Sequence, residues 1–354
     1  MRLWGQEWSK AELLKRVGAV SQLGGITRFE YCDGKSKGVM ALRVKTATGF
    51  EFLVLPDKGL DVFEASYNGR SLCWHSPVGV VQPAYYDPDK LEWLKTFAGG
   101  LVATCGLSTA GSPSEDQGQQ LGQHGAISNI PAEQLNCSEE WQGDELVLTI
   151  SGKVREAQVF GPNLVLHRTI QTALSGRFFR INDTVENQAS WQTPLMMLYH
   201  CNFGFPLLTD RSRIYAPEHK VEGRTDFAAS RIEYWQHFEA PTRGIEERVY
   251  YHQIKPGRDG LIRVVLVSDD TTRDFGVEMA YRAATLPQLI EWKMTGEGHF
   301  VLGIEPGNCK VDGRKREREA GTLRLLEPGE KEEFQLELRV LDGAAEVAQA
   351  IAQF

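Results

Sequence analysis

Three ionisable side chains stand beside apolar stretches of the sequence in a way that suits acid–base chemistry. His200 follows the apolar run 194–199, His124 is flanked by glycine, and Glu305 ends the apolar run 300–304 just before a Pro-Gly pair. A carboxylate at the end of a buried strand is costly unless it is paired or used. We therefore interpret Glu305 as a candidate general base. The alternative is a glutamate that accepts hydrogen bonds from backbone N–H groups at the strand end.

A carboxylate and an imidazole together can move protons around a sugar hemiacetal. Opening the ring requires that one proton leaves the anomeric hydroxyl and another reaches the ring oxygen. A second imidazole or an amide can orient the sugar. No G-x-G-x-x-G, P-loop, H-E-x-x-H or G-x-S-x-G motif occurs in a supporting context, so the sequence predicts no metal, no organic cofactor and no hydrolase nucleophile.

The elements that must position these groups are mostly strands. Pairs of apolar segments such as 39–44 and 50–55 flank short turns, and no alternation of strands and helices follows. Helical patterns are confined to residues 9–20, where Ser9 and Glu12 form a capping box, and to the Ala-rich segment 343–352. This pattern favours an all-β fold: a large antiparallel β-sandwich with short terminal helices.

We expect one sandwich domain at 38–354, preceded by a helical or edge extension at 1–37. Residues 75–130 are rich in Gly, Pro and Ser, and such a long irregular segment in a compact domain usually carries binding groups. The charge cluster 312–319 is interpreted as a solvated loop.

Composition excludes several classes of partner. The 354-residue chain carries a net charge of −8, which argues against nucleic acid or an anionic membrane as the main partner. No apolar run reaches membrane-spanning length, and the N-terminus lacks the apolar core of a signal peptide. The six cysteines are scattered without a C-x-x-C pair, which predicts free thiols and a cytoplasmic location; disulfides in an exported protein are the alternative.

Three short motifs resemble those of the aldose 1-epimerase (galactose mutarotase) superfamily. Residues 124–129 (HGAISN) are similar to its His-Gly-x-x-x-Asn motif, 199–204 (YHCNFG) to its second histidine motif, and 304–306 (IEP) to its late Glu-Pro motif. They occur in the family's order, and with the supporting strands the match spans most of 38–340. Residues 97–107 resemble a signature of an uncharacterised mutarotase-like branch.

The resemblance implies a galactose mutarotase-like supersandwich with a sugar cleft on one sheet. It implies Glu305 as general base on the anomeric hydroxyl, His200 as general acid at the ring oxygen, and His124 as the group that binds and polarises the sugar. The expected function is a cofactor-independent aldose 1-epimerase in carbohydrate metabolism, acting on a free or modified sugar. A non-catalytic carbohydrate-binding or sensing module and an isomerase of an acidic sugar are the alternatives, and a homodimer is left open.

The family's arginine, which contacts the sugar, has no match, because Ala98 stands at the corresponding position. Lys95 or Arg70 is expected to take its place. If the sugar is acidic, Lys95, Arg168 or Arg314 is expected to contact its anionic group, although Arg168 is also compatible with a solvated sheet face.

Asn202 is predicted to bind a sugar hydroxyl or to cap its own turn. Trp292 is predicted to stack on the sugar, with core packing as its alternative.

Overall fold

A computed structural model describes residues 1–354. The chain forms 24 β-strands and four α-helices, and every pairing between these strands is antiparallel, which confirms the predicted fold class. The helices are α1 (Lys10–Leu14), α2 (Asp226–Ala229), α3 (Arg314–Ala320) and α4 (Ala344–Ile351). No helix has the length and apolar character needed to cross a membrane.

The first half of the chain contains the strands β1 (Arg2–Leu3), β2 (Gln6–Glu7), β3 (Gly25–Glu30), β4 (Met40–Lys45), β5 (Phe50–Leu55), β6 (Asp61–Tyr67), β7 (Arg70–Ser71), β8 (Ala103–Leu107), β9 (Ser114–Asp116), β10 (Gln119–Leu121), β11 (Glu133–Gln142), β12 (Glu145–Ala157) and β13 (Asn163–Ala173). The second half contains β14 (Phe178–Asn187), β15 (Thr193–Gly204), β16 (Arg213–Tyr215), β17 (Lys220–Gly223), β18 (Arg248–Gln253), β19 (Leu261–Val267), β20 (Phe275–Arg282), β21 (Gln288–Gly296), β22 (His299–Gly307), β23 (Arg324–Leu326) and β24 (Lys331–Asp342).

Three large sheets make up the sandwich. The strand order is β3-β4-β5-β6-β7 in a five-stranded sheet and β11-β12-β13-β14-β24-β20-β19-β16 in an eight-stranded sheet. The seven-stranded sheet has the order β17-β18-β21-β22-β15-β23, and β8 also pairs with β15. The main hydrophobic core lies between these sheets, where for example the rings of Phe52 and Phe179 are 5.3 Å apart.

The N-terminal region differs in detail from the prediction. Strand β3 pairs with β4, so the first sheet continues across the boundary expected between residues 37 and 38. The capping box of Ser9 and Glu12 is confirmed, but α1 ends at Leu14 and not near residue 20. Leu13 is the only buried residue of this helix, so its other apolar positions have no surface on which to pack.

The charge cluster 312–319 is not a solvated loop, which corrects that prediction. It contains α3, in which Arg314 and Glu317 are buried. Arg314 donates a 2.8 Å hydrogen bond to Asp116 and a 3.1 Å bond to the carbonyl of Ser108. These partners lie 198 and 206 positions away in the sequence, so the local run of charges does not indicate them.

Strand β15 sends alternate side chains to two different environments. Met197 and Tyr199 enter the main core, whereas Met196 and Leu198 belong to a smaller apolar cluster on the other face of the seven-stranded sheet. Because side chains alternate along a strand, His200 points to the same face as Met196 and Leu198. We call this the outer face of the sheet.

Candidate active site

Strand register brings His200 and Glu305 together. The pairing of β15 with β22 aligns Leu198 with Gly307 and Cys201 with Ile304, which sets His200 opposite Glu305 on the outer face. Nε2 of His200 lies 3.1 Å from Oε1 of Glu305, within ion-pair distance although outside hydrogen-bond geometry. Two residues 105 positions apart in the sequence thus become neighbours through regular sheet pairing.

His124 reaches the same place from the irregular segment before β11. Its backbone has a positive φ of 58°. Its N–H donates a 2.9 Å hydrogen bond to the carbonyl of Gly111, and its carbonyl accepts a 2.9 Å hydrogen bond from the N–H of Gly106 in β8. Gly125 follows with a φ of 70°, and a Cβ there would lie 2.3 Å from the carbonyl oxygen of Gly106. This tight turn directs the imidazole of His124 to within 5.6 Å of the His200 ring, measured between centroids.

Burial decides the protonation of all three groups. Glu305, His200 and His124 are 2%, 5% and 7% exposed. Burial raises the pKa of Glu305 well above its ordinary value, and the nearby carboxylate of Glu247 adds to this rise. Burial also lowers the pKa of His200 to about 4 and lowers the pKa of His124 well below 6.5, the latter helped by repulsion from His200 and Arg224.

These buried groups have unused hydrogen-bonding capacity. Nδ1 of His124, Nδ1 of His200 and Oε1 of Glu305 have no hydrogen-bond partner in the protein. Buried polar atoms are normally satisfied, so an unsatisfied set of three around one space indicates a place for a ligand. No group of three or more His, Cys, Asp or Glu side chains in the chain is arranged to hold a metal ion.

The space between them is a cavity of about 630 Å³ with largely aromatic walls. Phe97 and Trp292 lie 5.3 and 5.4 Å from the His200 ring, and Trp93 lies 4.7 Å from the ring of His124. Trp74 packs edge-on against Trp292. Aromatic faces of this kind exclude water and can stack on the C–H faces of a sugar ring.

Of the other predicted contact residues, Trp292 alone lines the cavity. Its Nε1 donates a 2.8 Å hydrogen bond to Glu247, which also lines the cavity. Asn202 is fully buried, and its amide donates to the backbone carbonyls of Gly100 and His200. The position of Asn202 thus agrees with a structural role in its turn and not with the predicted contact to a sugar hydroxyl.

None of the predicted cations lines the cavity, which corrects the predictions for Lys95, Arg70, Arg168 and Arg314. The Lys95 side chain is 73% exposed and pairs with Glu92 on the same turn. Arg168 is fully buried inside the sandwich, where it contacts Asp183 at 2.6 Å and Asp61 at 3.0 Å. The alternation of side chains along β13 places Arg168 in the core. The cost of burying its charge is offset by its acidic partners, which lie on other strands.

The cation that lines the cavity is Arg224, which was not predicted from the sequence. Its Nε donates to Asp312 and one of its amino groups donates to Ser112, both at 2.8 Å. It follows β17 in a polar stretch without any motif, so no signal in the sequence could have singled it out. Asp312 lies in the charge cluster 312–319, for which the sequence predicts a solvated loop.

Several known proteins share this fold. The family model described as "Domain of unknown function (DUF4432)" matches residues 36–340. A crystal structure of a protein from Klebsiella pneumoniae, described as a candidate aldose 1-epimerase, matches with a TM-score of 0.88 and 26% identity, over 93% of this chain and 86% of that one.

More distant structures show the same architecture. A galactose mutarotase-like protein from Clostridium acetobutylicum matches with a TM-score of 0.56 and 14% identity, over 90% of this chain and 99% of that one. Galactose 1-epimerase from Lactobacillus acidophilus matches with a TM-score of 0.57 and 11% identity, over 90% and 99%. No curated protein sequence matches the chain. The chain belongs to the DUF4432 family, and its fold is that of the galactose mutarotase-like proteins.

Proposed function

We propose that the protein is an isomerase of the aldose 1-epimerase type, which interconverts the anomers of a sugar by opening and closing its hemiacetal ring. The observation that supports this proposal is the meeting of His200 and Glu305 at 3.1 Å, beside His124, in a cavity with aromatic walls. The anomeric oxygen and the ring oxygen of a sugar are bonded to the same carbon. A carboxylate and an imidazole side by side can therefore serve both oxygens together.

The proposed mechanism requires one proton on the pair. Burial disfavours both charges, so before the sugar binds the pair is a neutral Glu305 carboxyl and a neutral His200 imidazole. A small reorientation of the side chains brings their 3.1 Å contact into hydrogen-bond geometry, and transfer of the proton from Glu305 to Nε2 of His200 then gives a carboxylate and an imidazolium. Glu305 then removes the proton of the anomeric hydroxyl while His200 gives its proton to the ring oxygen, which opens the ring.

Closing the ring reverses these two transfers. After rotation about the bond between C1 and C2, the hydroxyl at C5 attacks the other face of the aldehyde. His200 recovers its proton from this hydroxyl, and Glu305 returns its proton to the anomeric oxygen. His124 donates or accepts a hydrogen bond near the ring oxygen and so orients the sugar.

The charges around the cavity favour a neutral sugar over an acidic one. The carboxylate of Glu247 lines the space beside the neutral Glu305 carboxyl, and the guanidinium of Arg224 is already paired with Asp312. An anionic substrate would meet repulsion without an unpaired cation to offset it.

Anomer exchange provides the test. Fresh α anomers of a panel of aldoses are mixed with the protein, and the approach to equilibrium is followed by polarimetry or NMR against a protein-free control. We expect the protein to accelerate the exchange of at least one neutral sugar and Glu305→Gln to abolish that acceleration. Saturable sugar binding without any acceleration would instead identify a binding module.

A further inference from the structure

The cavity extends well beyond its catalytic groups. Along β21, Ile290 is opposite Glu305, Trp292 is opposite Gly303, and Met294 is opposite Val301; the three β21 residues all line the cavity. At about 3.3 Å per residue, Met294 lies about 13 Å along the strand from the level of Glu305. A single sugar ring held at Glu305 and His200 leaves the end at Met294 unfilled.

Apolar side chains line the cavity in addition to its aromatic wall. We call the group Pro77, Val78, Leu91, Leu94 and Met294 the apolar rim. Leu91 and Leu94 are 55% and 46% exposed, although large apolar side chains in this chain are mostly buried. Exposed apolar groups that border a ligand cavity usually contact the ligand.

The two loops that carry most of the rim are fastened to each other. The hydroxyl of Ser76 donates to the carbonyl of Phe97, and the backbone N–H of Ser76 donates to Ala98. Pro77 and Val78 therefore lie beside the short turn Glu92–Lys95, from which Leu94 projects. The rim is thus continuous with the aromatic wall around His200.

From this arrangement we propose that the substrate is a reducing sugar with an apolar substituent, such as an acyl or alkyl group, carried away from C1 and seated on the apolar rim. This inference rests on the proposed function, because O1 must be free for the proton transfers. The substituent is therefore carried on another carbon, and C4 and C6 are the positions farthest from C1. Sugar hydroxyls would lose their hydrogen bonds with water on such a surface, whereas a hydrocarbon chain is favoured there.

The test compares matched pairs of sugars, each aldose and its 6-O-butanoyl ester, together with a reducing disaccharide. We expect kcat/KM for anomer exchange to be about tenfold higher for the ester than for its parent sugar. Leu94→Ser should bring this ratio close to one. Val159→Ser is the control, because Val159 is equally apolar and 79% exposed but lies outside the cavity, and it should preserve the ratio.

Equal rates for ester and parent, or a preference for the disaccharide over the ester, would overturn the inference. Absence of exchange with every sugar would refute the proposed function instead. In that case binding of ester and parent is compared by the fluorescence of the cavity tryptophans. Tighter binding of the ester, lost in Leu94→Ser, would still support the rim, and equal binding would refute it.

Discussion

The two faces of the seven-stranded sheet each carry a buried histidine–glutamate pair at the same separation. On the outer face, His200 lies 3.1 Å from Glu305; on the inner face, His252 Nε2 lies 3.1 Å from Glu291. All four side chains are buried. The pairs share this separation and their burial, but only the inner contact has hydrogen-bond geometry, and their surroundings differ.

The inner pair is surrounded by compensating protein groups. The ammonium of Lys293 lies 3.1 Å from Glu291, and His219 contacts the other ring nitrogen of His252 at 2.8 Å. Lys293 is itself held by the backbone carbonyls of Tyr234, Trp235 and His237. Glu305 has no ammonium or guanidinium group within ion-pair distance, and the outer pair faces a cavity. We therefore expect the inner pair to be structural, and we propose that the outer pair, which a ligand would complete, is the reactive one.

Replacing each histidine tests this distinction most strongly. We expect His200→Asn to lower the rate of anomer exchange by about 10²- to 10⁴-fold, because one of the two proton transfers loses its group. His252→Asn removes the same side chain from the inner pair and should leave exchange within a few-fold of wild type. Polarimetry of both variants on one sugar makes the measurement. Similar losses in the two variants would contradict the distinction.

The free energy of unfolding should depend mainly on the inner pair, whereas the exchange rate should depend mainly on the outer pair. Glu291→Gln leaves the Lys293 ammonium buried without its counter-charge, and we expect it to lower the free energy of unfolding by about 3–5 kcal/mol. Glu305→Gln replaces a neutral buried acid that has no cation partner with a neutral amide of nearly the same shape, and should change the free energy of unfolding by less than about 1 kcal/mol. Urea unfolding at pH 7 compares the two. A larger loss in Glu305→Gln would mean that this acid is structural.

The position of the Glu305 carboxyl depends on a glycine. A Cβ at Gly303 would lie 2.5 Å from Oε1 of Glu305 and 3.1 Å from Cβ of Trp292, so Gly303→Ala must displace the carboxyl. We expect about a 10²-fold loss of kcat/KM with the fold retained, since a shift of about 1 Å can cost that much. Gly298→Ala is a control on the same hairpin, because its Cβ would meet no atom within 4 Å, although its φ of 78° adds local strain. Anomer exchange and circular dichroism distinguish displacement from unfolding.

The dependence of kcat/KM on pH should be bell-shaped, because the outer pair works with one proton. Below about pH 4 His200 is protonated as well as Glu305, and no base is left. Above the raised pKa of Glu305 the last proton is lost, and no acid is left. Rates measured after subtraction of the spontaneous exchange in each buffer should show both limbs. A rate that keeps rising through the alkaline range would refute the single shared proton.

The sequence predicted the histidine–glutamate pair of the site better than the charged residues around it. His200 and Glu305 were identified because apolar strand patterns lead into them, and such local patterns also determine the sheet. Arg168 was assigned to the wrong environment because its partners Asp61 and Asp183 lie on other strands, and local alternation does not show which charges meet. Arg224 was missed for a similar reason: its ties to Ser112 and Asp312 exist only after the loops have packed.

Because the spacing of His200 and Glu305 comes from hydrogen-bonded pairing of β15 with β22, it does not depend on the loops that form the mouth of the cavity. Insertions or exchanges in the segments around Val78 and Leu94 can therefore change which molecule enters the cavity, while the proposed proton-transfer pair stays in place. In evolutionary terms, the loops that select the ligand are separate from the paired strands that carry His200 and Glu305. We therefore expect relatives with very different cavity mouths to share one reaction.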